Sequence, residues 1–391
     1  MTSDAESAWE QALAREFGLD EDVLHLNHAG VGPWPNRTVQ AIREFAEENR
    51  CRGSEHFQRW VQTETKLRGQ LRALINAESS QEIALLKSTS EALSAVAYGL
   101  EWQLGDRIVT ARQEFPSNRI VWESLRTRYG VEVVEVDLST GDDPEALIEA
   151  AMTEGTRLVA LSAVQYASGL RLDLERIGRA CRARGALFCV DGIQQIGALP
   201  FDVRAIGADF VAADGHKWML APEGLALFYC RAELRDRLVL RQYGWHMVEH
   251  LGDFERSDWQ PADSARRFEC GSANNLGIHA LSASLGLLLE AGMAHVGMAV
   301  LEKTDYLVEA LQAGGFEVLS DRSPTRRSGI VIFRHPGCDS ETLYRELQAS
   351  GVVCALRGGG VRFSPHFHTP RQTLDRAVEA AMRAVHRSGA G

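Results

Sequence analysis

The sequence predicts an α/β protein, with a large domain on a mostly parallel sheet followed by a smaller α+β domain. Three observations carry this. The chain has 391 residues, more than one small core organises, so two units are expected. From about residue 65 to 230, short apolar runs alternate with helical patterns. Those runs are apolar at every position, as in parallel strands covered by helices on both faces.

Taken in order, the opening MTSDAESAWEQALAREFG reads as an amphipathic helix over 1–20, without the basic and apolar stretches of a leader. The strand runs are DRIVTA (106–111), VEVVEVD (131–137), RLVALSAV (157–164), ALFCVD (186–191), ADFVAAD (208–214) and GLALFYC (224–230). Helices between them carry start and stop signals. Asp173 precedes LERIGRACRAR and Gly185 ends it, and Pro144 stands in the first turn of EALIEAAM. Past about residue 285 the texture changes. A long helical stretch leads into GIVIFRH, the helix ETLYRELQASG, the strands VVCALR and GVRFSP, and a last helix, TLDRAVEAAMRAVHR. The expected division is 21–284 for the large domain and 285–391 for the small one, with the first helix packing near the latter.

Composition narrows the function. Apolar residues make up 45% and charged residues 24%, ordinary for a globular protein. A net charge of -11 disfavours nucleic acid and anionic membranes as partners. No run reaches the roughly 18 apolar residues of a membrane span. The seven cysteines are scattered and never form a C-x-x-C pair. That opposes a disulfide framework and a zinc site, and suits a reducing cytoplasm. No metal ligands are read from the sequence.

In open α/β sheets, ligands bind at the carboxyl ends of the strands. Two strands end in residues of special kinds. ALFCVD ends in Asp191, with Gln194 three residues on, and ADFVAAD leads into Gly215-His216-Lys217-Trp218. Either residue alone has an ordinary explanation, a turn or cap aspartate and a solvated lysine. Together, a carboxylate and an amine from strand ends can face one ring. Pyridoxal 5′-phosphate (PLP) needs that pair. The acid keeps the pyridine nitrogen protonated, and the lysine forms the Schiff base and later carries the proton.

The pattern resembles the class V aminotransferase family of fold-type-I PLP enzymes, which includes cysteine desulfurases, isopenicillin N epimerase-like proteins and kynureninases. The likeness runs from LHLNHAGVGPWP (24–35) to VRFSPHFHTP (361–370), and DGHKWMLAPEGLALFYC is its most specific part. It implies a homodimer acting on an amino acid, with Lys217 carrying the cofactor and Asp191 on its ring nitrogen. Thr89 and Ser90 of KSTSEAL match the phosphate cup at a helix start, where Ser88 and Glu91 also fit a capping box. Phe115 of EFPSN matches the ring that stacks on the cofactor. Gln194 matches the partner of its phenolic oxygen, and His216 a phosphate ligand. Ser272 of RRFECGSANN matches a residue reaching the other subunit's phosphate. Arg362 matches the arginine that grips the substrate carboxylate, with Arg357 as a second candidate. Asn27 and His28 match pocket-lining residues.

Three departures qualify the resemblance. Desulfurases carry a nucleophilic cysteine on the loop before the substrate arginine. Here only Gly358 to Val361 separate Arg357 from Arg362, and Cys354 lies in a strand-like run. Asp214 stands where a small or hydroxyl residue is usual, and either orients His216 or points away. SAVQYASG (162–169) has Ala163 in place of histidine, and Gln165-Tyr166 in place of a Ser-Asn pair. Expected chemistry is therefore transamination, β-elimination or epimerisation. Desulfurase-like sulfur chemistry without the loop cysteine, or an inactive binding protein of this fold, are the alternatives. No G-x-G-x-x-G follows a strand, which opposes a nicotinamide dehydrogenase.

Overall fold

All six apolar runs form strands, and a seventh, Ile83–Leu86, joins them. The computed structural model describes residues 13, 15–141 and 143–388, so most of the helix expected over 1–20 lies outside the described residues. The first part of the chain contains β1 (Leu24–His25), α1 (Asn36–Arg52), α2 (Phe57–Leu74), β2 (Ile83–Leu86), α3 (Thr89–Gly99), β3 (Arg107–Ala111), α4 (Ser117–Tyr129), β4 (Glu132–Val136), α5 (Pro144–Ala151) and β5 (Thr156–Ser162). There follow α6 (Leu174–Arg184), β6 (Leu187–Asp191), α7 (Val203–Ile206), β7 (Phe210–Asp214), β8 (Ala226–Cys230), α8 (Asn275–Ala291) and α9 (Met293–Ala313). The last part holds β9 (Glu317–Val318), β10 (Val331–Arg334), α10 (Ser340–Ala349), β11 (Val352–Val353), β12 (Ala355–Arg357), β13 (Gly360–Phe363) and α11 (Arg371–Ser388).

The large sheet has the order β2-β8-β7-β6-β5-β3-β4. Its neighbours from β4 to β7 are parallel, while β8 runs antiparallel to β7 and β2. Every residue of β6, β7 and β8 is buried. Alternate residues serve two cores. Val109, Leu161, Phe188 and Val211 pack on one face, and Ile108, Leu158, Cys189 and Phe210 on the other. This is why the runs lack polar alternation. The predicted helix signals act as read: the Asp173 carboxylate accepts the Arg176 N–H at 2.9 Å, and Gly185 closes α6 at φ 69°.

The C-terminal sheet has the antiparallel order β12-β13-β10-β9, and β1 pairs in parallel with β11. Leu24 and Leu26 therefore sit in the core of this second unit, with Leu307, Phe333, Phe363 and Leu374. The expected boundary at 285 falls inside α8, whose Ile278, Leu281 and Leu288 belong to the large core. The handover runs along α9. Val296 and Val300 face the large core, and Leu307 and Leu311 the small one. A continuous helix serving both cores leaves no linker for the sequence to reveal.

Candidate active site

The strand order places a switch point beside β3. The chain leaves β3 toward β4 on one side, then crosses to β5 on the other. A crevice opens outside the carboxyl ends of strands at such a point. The turn after β3, the ends of β5 and β6, and the turn after β7 all meet here.

Asp191 is the last residue of β6 and is 2% exposed. Its Oδ1 accepts the Ile193 N–H at 3.0 Å, and its other oxygen has no donor among the described residues. Burial raises its pKa to about 6, against the pull of that N–H and of Lys217. Lys217 lies three residues beyond β7 and is also buried. Burial lowers its amine to about 8, helped by Arg362 and opposed by Asp191 and Asp214. Acid and amine thus lie close enough for each charge to act on the other. The Lys217 Nζ stands 5.5 Å from the Phe115 ring centroid. Phe115 is 40% exposed and meets Tyr166 edge-on, at 5.2 Å and 83°.

The turn carrying Lys217 is held by close backbone approach. The Gly32 N–H donates to the His216 carbonyl at 2.9 Å, and a Cβ on Gly32 would lie 2.4 Å from the Lys217 carbonyl. Only glycine fits there, so the G-x-G of HAGVGPWP serves this packing. Asp214 is turned toward its neighbour. Its Oδ1 lies 2.9 Å from His216 Nδ1, although the pair is not aligned as a hydrogen bond.

At the start of α3, the Ser88 hydroxyl accepts the Glu91 N–H at 3.2 Å and the Glu91 carboxylate accepts the Lys87 N–H at 2.6 Å. Capping is thus realised, while the N–H groups of Thr89 and Ser90 have no acceptor among the described residues. The Thr89 hydroxyl accepts the Asp214 N–H at 3.0 Å, and the Ser90 hydroxyl donates to that of Ser117 at 2.8 Å. Gln194 is held at both ends of its amide: Nε2 donates to the Ala29 carbonyl at 3.0 Å, and Oε1 accepts the Trp218 indole N–H at 2.9 Å. One Nε2 hydrogen remains for a ligand. Ser272 is exposed and lines a surface depression with Lys87, Gly224 and Asn274.

Arg362 projects from β13 and is 4% exposed. It donates to the Tyr166 carbonyl at 2.9 Å and to Asn27 Oδ1 at 3.2 Å, and its Nε is buried without a partner. Burial, then the neighbouring Arg357, lowers its pKa to about 10. Arg357 is exposed and donates to the Leu356 carbonyl at 2.8 Å. Asn27 therefore does face the site, through Arg362.

His28 is engaged by protein partners at both ring nitrogens. Its Nδ1 lies 3.0 Å from the Ser364 carbonyl and its Nε2 3.1 Å from His368 Nε2. With both nitrogens engaged and 1% exposure, it serves a buried cluster with His25, His366 and His368. Burial holds His28 well below the usual histidine range.

Two further residues went unassigned. Glu114, 4% exposed, accepts at Oε1 the Ser162 N–H at 2.7 Å and the Gln165 amide at 2.9 Å. Its Oε2 accepts the Ser162 hydroxyl, and the Asn118 amide at 3.0 Å. Burial raises its pKa to about 7, against those donors and with Asp191 adding to the rise. An acid between a strand end and a Phe-Pro turn was the available signal. Tyr166 supplies the Arg362 contact through its backbone, which no side-chain motif reports. Elsewhere, Glu64, His246 and Glu269 group like metal ligands, but Arg68 pairs with both carboxylates, at 2.5 and 2.6 Å.

The donor set fits a flat, anionic aldehyde with a basic ring nitrogen. Asp191 has an uncommitted oxygen, Lys217 a low-pKa amine, Phe115 an open ring face, and α3 a free N-terminus. Gln165 Oε1 and Arg362 Nε are buried polar atoms still lacking partners.

Comparison with known proteins agrees. The model of the aminotransferase class-V family matches residues 24–377. A probable cysteine desulfurase of Methanothermobacter thermautotrophicus is 34% identical over 354 residues, covering 88% of this chain and 86% of its own. The isopenicillin N epimerase of Streptomyces clavuligerus is 29% identical, covering 95% and 97%. The apo cysteine desulfurase of Thermococcus onnurineus NA1 superposes with a TM-score of 0.87 at 23% identity, covering 96% and 98%. The chain belongs to the class V aminotransferase family, whose enzymes act on amino acids with pyridoxal 5′-phosphate.

Proposed function

We propose that this chain removes the α-proton of an amino acid bound to PLP, with Lys217 as cofactor lysine and base. The observations that carry this are the buried Asp191 at the end of β6 and the buried Lys217 just beyond β7, its Nζ 5.5 Å from the Phe115 ring centroid. When bound, PLP supplies a cationic ring that accepts negative charge from the substrate α-carbon. Asp191 holds the ring nitrogen, and Phe115 covers the ring. The free N–H groups of Thr89 and Ser90, with His216, take the phosphate, and Gln194 reaches the phenolic oxygen with its remaining hydrogen. Arg362 and Asn27 fix the substrate carboxylate. The Lys217 amine, near 8, can take and return a proton close to neutrality.

A desulfurase route through a loop cysteine lacks its nucleophile, which leaves sulfur chemistry without that cysteine as the alternative. β12 and β13 are joined by Gly358-Gly359 alone, and burial raises the Cys354 thiol to about 12. Transamination, β-elimination and epimerisation remain as outcomes of the same deprotonation. Borohydride reduction and peptide mapping test the first step: a pyridoxyl adduct on Lys217 is expected, and its absence rejects the proposal. An amino-acid screen with keto-acid, sulfide and chirality readouts then names the outcome.

A homodimer is part of the proposal, with Ser272 of one copy reaching the phosphate of the other. Its support is the exposed apolar surface beside Ser272, where Trp245 and Phe254 line one depression with it. A cytoplasmic setting is also proposed, supported by seven free cysteines. No single helix is long and apolar enough to cross a membrane.

A further inference from the structure

Arg357 and Arg362 share one face of a hairpin. Ala355 pairs with Arg362, and Arg357 with Gly360. Side chains two residues apart on a strand point the same way, and paired residues share a face. Arg357 therefore stands diagonally beside Arg362, with Cβ atoms roughly 7–8 Å apart.

The hairpin is fixed against the site. Gly358 and Gly359 have φ of 60° and 80°. A Cβ on Gly358 would meet the Ala167 carbonyl at 2.0 Å. The turn thus presses on the segment that follows β5, whose Tyr166 carbonyl holds Arg362. Arg357 is exposed, but its backbone is anchored at the rim of the active site.

Both cations lack an acid. Among the described residues, neither guanidinium lies within ion-pair distance of a carboxylate. Arg362 donates to a carbonyl and an amide oxygen, and Arg357 to a carbonyl. The acids nearby are otherwise occupied. Asp191 and Asp214 act on Lys217, and Glu114 is saturated by neutral donors. Adjacent like charges repel unless an anion joins them. An α-carboxylate on Arg362 satisfies one cation and leaves the other.

We propose that the substrate is an amino acid with an acidic side chain, its α-carboxylate on Arg362 and its second acid on Arg357. This rests on the proposed PLP chemistry and adds the substrate class to it. An arginine pair at this spacing matches two acids on one short carbon chain, and charge-assisted bonds discriminate well against a neutral isostere.

The test uses purified holoenzyme and two probes of equal chain length, succinate and butyrate, titrated by calorimetry. Succinate is expected to bind about tenfold more tightly or better. In Arg357→Gln the succinate-to-butyrate ratio falls to near one. Equal binding of the two probes by the unaltered protein overturns the proposal, as does a ratio that survives Arg357→Gln. In parallel, α-proton exchange of aspartate, glutamate and 2-aminobutyrate is followed by NMR in deuterium oxide. Faster exchange of the acidic pair supports the substrate class. Equal exchange of all three removes that class and leaves the PLP chemistry standing. No lysine adduct in the borohydride experiment removes the chemistry itself.

Discussion

Glu114→Gln isolates a buried acid whose energetics depend on pH. The displacement from the ordinary 4.5 to about 7 means that the folded chain holds this proton more tightly than the unfolded chain. An acid of that kind stabilises the fold fully below 4.5, and the contribution is lost as pH rises through 7. Between pH 5 and 8 the loss amounts to about 2–3 kcal/mol. Glutamine is neutral throughout and removes that slope. It also turns an amide N–H₂ toward the Ser162 hydroxyl and the Asn118 amide, where Oε2 now accepts. The hydroxyl can rotate, but the Asn118 amide cannot flip without losing the Trp122 N–H held at 2.8 Å by its oxygen. That conflict costs about 1–3 kcal/mol at every pH. The variant is therefore less stable at pH 5 and closes most or all of the gap by pH 8. Urea midpoints of cofactor-free protein across this range measure it. Asp191 titrates in both proteins, so only its coupling to Glu114 enters the difference. Parallel curves would refute the reasoning, because they would mean that Glu114 is ionised in the fold throughout.

The remaining predictions concern the site and its support. Lys217→Ala is expected to slow α-proton exchange by about two to four orders of magnitude, read by NMR in deuterium oxide. Arg362→Lys replaces a fork with a point charge and should raise KM about tenfold or more, with a smaller change in kcat. Gly358→Ala forces a side chain into a left-handed conformation against the Ala167 carbonyl. A cost of about 1–2 kcal/mol from conformation alone should appear as a lower unfolding midpoint. Glu145→Ala strips the fully buried partner of Arg326, held through both terminal nitrogens at 2.5 Å. A loss of about 3–5 kcal/mol is expected in chemical denaturation.

The large sheet was legible because its strands are apolar at every position and its helices carry local caps. Asp173 and Gly185 act through residues three or four positions away, within reach of a sequence window. The seventh strand, Ile83–Leu86, was missed because four residues before a helix cap show no period. The site divided along the same line. Asp191 ends β6 and Lys217 follows β7 by three residues, positions that an apolar run and its polar end mark in the sequence. The partners of His28, Ser364 and His368, were not legible because they lie more than 330 residues away. Glu114 escaped notice because its role depends on β5 lying next to β3, which requires the strand order. The direction of Asp214 was a rotamer question, and only coordinates answer it.

The pairing of β1 with β11 has a consequence for how the molecule comes apart. Leu24 and Leu26 lie in the minor lobe, after which the chain crosses to the major one for most of its length and returns. The two covalent crossings that follow β1 mean that a single proteolytic nick between the lobes releases neither as a fragment. A deletion that removes Leu24–Leu26 harms the lobe made mainly by the other end of the chain. A fragment meant to carry the minor lobe alone must therefore be stitched from both termini.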